Sequence, residues 1–178
     1  MPEKGVFWEG ISEGLARKIE EIVEIVPGFG DYLKRENARE RDKIIREHIA
    51  ERYDHMKKAL MGVMEELSES GRLKGLDRLD RLNRRLDRLR DEITYASHGY
   101  SGFFDPVKIL DAELEALYTY DLDMLAEVEE MDKHLEALSD HVNDPDRLTE
   151  ELAAVSTFID NMERIFENRK YVVTKGHE

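Results

Sequence analysis

Five residues have the types and spacing from which a helical metal site could be built: His48, Glu51 and His55 in one stretch, Glu130 and His134 in another. Glutamate and histidine four positions apart share a helix face, and two such faces could meet at a metal ion. A di-iron bundle site needs Glu-x-x-His pairs instead, and none of the six histidines has a glutamate three residues before it. His48 and His55 stand two turns apart, roughly 10 Å, too far for one metal without a third element. The simpler reading of each pair is a surface contact worth roughly 0.2–0.5 kcal/mol. The expectation is therefore no cofactor.

A second cluster of reactive types lies in "ASHGYSGFFDPVKI", Ala96 to Ile109. Tyr95, His98, Tyr100 and Asp105 could form an acid–base pocket. The same residues also account for a corner between two helices. Gly99 suits the left-handed end of one helix, Asp105 is a strong N-cap, and Pro106 is a favoured first residue of the next. Phe104 and Ile109 then occupy the two positions of a hydrophobic staple, while Tyr100 and Phe103 plug the end of the bundle. No nucleophile accompanies these groups, no serine sits in a nucleophile elbow, and no glycine-rich loop matches a phosphate cradle. The corner is the preferred reading, and an enzyme is the less favoured class.

The elements that would position these residues follow from apolar spacing. Ile11, Leu15, Ile19, Ile22 and Val26 step by three and four, as do Ile45, Ile49, Met56, Leu60, Val63 and Leu67. Leu73 to Ala96 carries a leucine seam flanked by both charges, as in a coiled coil. All four prolines, Pro2, Pro27, Pro106 and Pro145, fall outside these periodic runs. The pattern predicts an all-α chain of about five helices, near 9–26, 31–69, 73–97, 106–138 and 145–167. They would form one elongated bundle of antiparallel, coiled-coil-like hairpins over residues 1–170, with 171–178 as a flexible tail.

Composition bounds the function. Charged residues reach 38% and the net charge is −14, which repels nucleic acid and anionic lipid on average. Residues 72–91 hold eight Lys/Arg against four Asp, and residues 105–167 hold nineteen Asp/Glu against four Lys/Arg. The basic helix should find its acidic counterpart within the chain or in a neighbouring copy. Nucleic-acid binding is not expected, because the basic stretch lacks aromatics for stacking. Absent cysteine and glutamine suit a thermophile composition. No apolar run nears the roughly 18 residues of a membrane span, and the expected setting is cytoplasmic. Phe7 and Trp8 could touch a membrane interface, although the adjoining helix is glutamate-rich, the wrong sign for anionic lipid.

Two motifs, "VPGFGDYLKRENARERDK" at Val26–Lys43 and "YASHGYSGFFDPVKI" at Tyr95–Ile109, resemble those of a family of uncharacterised bacterial and archaeal helical proteins. Lys34-Arg35-Glu36, Arg39 and Asp42-Lys43 fit the first pattern; Gly99, Tyr100, Gly102, Phe104 and Asp105 fit the second, with His98 where an aromatic is more usual. The resemblance implies an all-helical fold and carries no activity. The resulting expectation is a non-enzymatic interaction or scaffold protein that associates with itself or a protein partner. Its contact surface would comprise Arg35, Glu36, Arg39, Asp42 and Lys43, supported by Tyr100, Phe103 and Phe104. A membrane-associated factor and a bundle metal protein are the alternatives.

Overall fold

The computed structural model describes residues 11–33, 38–72, 74–96 and 111–175. Among them are six helices and no strand: α1 (Glu13–Ile25), α2 (Phe29–Tyr32), α3 (Ala38–Glu69), α4 (Leu76–Tyr95), α5 (Asp111–Asp140) and α6 (Pro145–Lys175). The chain is all-α. Of the expected helix over 31–69, the described residues form the end of α2 and, from Ala38, all of α3. Gly28, with φ of 77°, makes the left-handed turn into α2.

Local signals set the ends. The Ser12 hydroxyl accepts from the Leu15 amide at 3.2 Å, capping α1, and the Ser12 amide donates to Asp111 Oδ2 at 2.7 Å, tying α1 to the start of α5. Helix α3 closes in a Schellman turn: Arg72 N–H reaches the Leu67 carbonyl at 2.9 Å and Gly71 N–H that of Ser68 at 3.1 Å. Asp144 accepts from the amides of Asp146 and Arg147, both at 3.2 Å, with Pro145 opening α6 as its spacing predicted.

Helices α3 and α4 form one antiparallel hairpin, α5 and α6 another. Helix α3 packs on α5 and α4 on α6, closing a four-helix ring, and α1 lies against α5. Lys57–Asp87 and Arg90–Asp54 record the first antiparallel pairing, and Arg85–Asp160 and Lys170–Glu92 the parallel run of α4 beside α6. The leucine seam of α4 (Leu79, Leu82, Leu86, Leu89) and the stripe of α6 (Leu152, Val155, Ile159, Met162, Phe166) share one continuous core. Between Ile49 and Met56 the α3 stripe is continued by Tyr53, which is buried.

Of the two places expected for the acidic partner of the basic helix, the same chain supplies it: Arg85 pairs with Asp160 and Glu163, and Arg88 with Glu163. One expectation changes. The expected loose tail from residue 171 is instead helical to Lys175, because Val173 is buried beside Leu117.

Candidate functional site

One end of the bundle gathers the start of α3, the end of α4, the start of α5 and the end of α6. Charged side chains fill its interior. From α3, Asp42 Oδ2 accepts from Arg46 Nε at 2.8 Å, and Asp42 Oδ1 accepts from Arg169 of α6. Arg169 Nε donates to Asp121 Oδ1 of α5 at 2.6 Å. Arg46 Nη1 donates to the carbonyls of Ile93 and Thr94, each at 2.9 Å. A cation thus closes the negative end of the α4 dipole. Beside this quartet, Arg41 Nε donates to Tyr118 Oη at 3.3 Å, and the Tyr118 ring meets Phe29 of α2 edge-on at 6.4 Å.

The burial is complete. Asp42, Asp121 and Arg169 are 0% exposed, Arg46 2% and Arg41 5%. Isolated charges would be prohibitive there, but two carboxylates face two guanidiniums, and each ion has a hydrogen-bonded counter-ion. Burial raises the Asp121 pKa against the opposing pull of Arg169. Its second oxygen, Oδ2, has no hydrogen-bond partner among the described residues. Burial likewise raises Tyr118, opposed by Arg41. The set contains no serine, cysteine or lysine nucleophile, and its guanidiniums donate to Asp42, Asp121, Tyr118 and the Ile93 and Thr94 carbonyls. Chemically it is a clamp joining all four long helices at one level.

Sequence reasoning placed Asp42 on an exposed contact surface; the structure places it inside. The reason is geometric, since Asp42 lies one turn before the buried Arg46 on the face of Ile45 and Ile49. Arg39 and Lys43 are exposed, and Lys43 makes an ordinary surface pair with Glu47 at 3.5 Å. Phe7, Trp8, Arg35, Glu36, His98, Tyr100, Phe103, Phe104 and Asp105 lie outside the described residues.

The five metal candidates are not brought together. Glu51 and His55 are exposed on α3, while Glu130 pairs with Lys133 on α5. His134 turns Nδ1 toward Glu151 at 3.3 Å, and His141 points its own Nδ1 at the same carboxylate from 3.7 Å. Among the described residues, no three His, Asp or Glu side chains are placed to hold a metal ion. His48 lies apart, half-buried between α1 and α5, where burial and then Arg52 lower its pKa.

Arg46, Asp121 and Arg169 were missed as candidates, yet they had a signal. Asp121 falls on the α5 stripe between Leu117 and Leu125, and Arg169 extends the α6 stripe from Phe166 toward Val173. A charged residue at a stripe position is a buried charge awaiting its partner.

No family model, curated protein or solved structure matches this chain. Among the described residues, no helix is long and apolar enough to cross a membrane.

Proposed function

We propose that this chain is a non-enzymatic helical interaction protein with a scaffold role, associating with itself through the clamped end of its bundle. One observation carries the reading. Described residues of both sequence motifs, Ala38 and Asp42 of the first and Tyr95 and Ala96 of the second, belong to the helix ends gathered at the charge clamp. A clamp that locks four helices at one level makes a rigid platform, which preorganises a contact surface and lowers the entropic cost of association.

Two exposed tyrosines stand at that end, Tyr95 on α4 and Tyr171 on α6, next to the Lys170–Glu92 bridge joining those parallel helices. Amphipathic aromatic side chains are enriched at protein interfaces. The charge beside them is mixed: Lys170 pairs with both Glu92 and Glu167. Two copies of a chain with net charge −14 repel least where their local charge is balanced. The setting is the cytoplasm.

Light scattering of the purified chain tests this. The expected mass is a multiple of 20.8 kDa, falling to one chain in the Tyr95→Ser/Tyr171→Ser variant while its helical signal is kept. A wild type that stays a single chain at high concentration overturns the proposal.

A further inference from the structure

Away from the clamp, α1 and α3 both lie on α5 and leave a cleft of about 520 Å³ between them. Its floor is apolar, formed by Leu122, Leu125 and Val128 of α5, and its lip is Ile25, the last residue of α1, 47% exposed. An isoleucine open to water at the end of a short helix has no role in the core below it. The cleft runs along the helices, so its natural filler is the apolar face of one or two further helical turns.

Charge decides which helix. The rim carries Glu21 of α1 and Asp123 and Glu129 of α5, and none of the three enters an ion pair among the described residues. Of the two cations lining the cleft, Arg52 is already bound to Asp132, which leaves Lys18 against three carboxylates. The rim is net negative on a chain that is itself −14. A second copy brings a net charge of the same sign, and its basic helix α4 already meets acidic partners within the chain. A separate cationic segment is instead drawn in by the long-range field and met by the rim.

We infer that this cleft is a docking site for a basic amphipathic helix of a partner protein, seating one or two leucine-like side chains against Ile25 and the α5 floor with flanking Lys/Arg on Glu21, Asp123 and Glu129. Recognition is of the helix-in-groove kind. The inference rests on the reading of the chain as an interaction protein, but it uses a different surface from the clamped end.

The test uses a labelled model helix of leucine and lysine, about four turns long, titrated with the full chain at physiological ionic strength. Binding should weaken about tenfold in Ile25→Asp, the loss of one seated apolar contact. It should be unchanged in Met61→Asp, which alters an exposed methionine of α3 remote from the cleft residues. Both variants add one negative charge, so diffuse attraction to an acidic surface would hold or strengthen binding in both. Asp123→Lys should weaken binding further. Absence of binding, or an Ile25→Asp affinity equal to that of Met61→Asp, overturns this site and leaves self-association through the tyrosine end to its own mass measurement.

Discussion

Arg169 is the residue whose loss the structure makes most costly. It bridges Asp42 and Asp121, and Arg169→Met keeps its stem while removing the guanidinium. Asp42 would retain Arg46 at 2.8 Å, but Asp121 would lose the one hydrogen-bond donor it has among the described residues. Removing one partner of a buried ion pair costs about 3–5 kcal/mol, because the remaining charge is buried without compensation. For a chain of this size that lowers the melting midpoint by roughly 6–20 °C. The sign with pH follows from the same group. Burial already raises the Asp121 pKa, and without Arg169 it rises further. The folded variant then binds a proton that the unfolded chain has released, so its stability increases as pH falls from the raised folded value toward the ordinary aspartate range. Urea unfolding at neutral and mildly acidic pH measures this. A second variant, Arg169→Met with Asp121→Leu, replaces both partners by apolar groups and should recover part of the loss. A deficit under about 1 kcal/mol, or a double variant whose loss equals the sum of the two singles, would refute the clamp.

Two further outcomes follow from partners elsewhere. Glu163 is opposed by burial, but Arg85 and then Arg88 outweigh that and hold its pKa below the usual glutamate value. Its contribution is therefore present at neutral pH and lost as pH falls through the depressed range. Glu163→Gln should cost up to about 1 kcal/mol at neutral pH and flatten that part of the acid unfolding curve, checked by thermal melts across pH. Tyr53 is buried on α3 with no partner for its hydroxyl among the described residues, and burial followed by Glu127 raises its pKa. Tyr53→Phe deletes an unsatisfied polar atom, so it should be neutral or stabilise by up to about 1 kcal/mol in urea unfolding. A clear destabilisation would mean that the hydroxyl is hydrogen-bonded.

The helices were legible because burying one stripe of a rod requires apolar residues at steps of three and four, and that repeat is written locally. Asp144-Pro145 was legible as a helix start for the same reason: cap and first residue are neighbours in the chain. The tail was under-read, because "YVVTK" has no repeat of its own and is helical only where Val173 meets Leu117. The candidate site was legible in half. Its position near the first charged motif was apparent, but Asp42 was assigned to the wrong side of the helix.

Residue order alone determined that this is an all-helical chain with its basic fourth helix and acidic last two, because stripes, caps and charge runs act over a few residues. Tertiary structure decided which charges meet. Asp42 and Arg169 are 127 positions apart, and neither residue type states whether it faces water or a counter-ion. A buried ion pair is favourable only when both partners arrive together in a low-dielectric interior. That is a property of the assembled bundle and of no single segment within it.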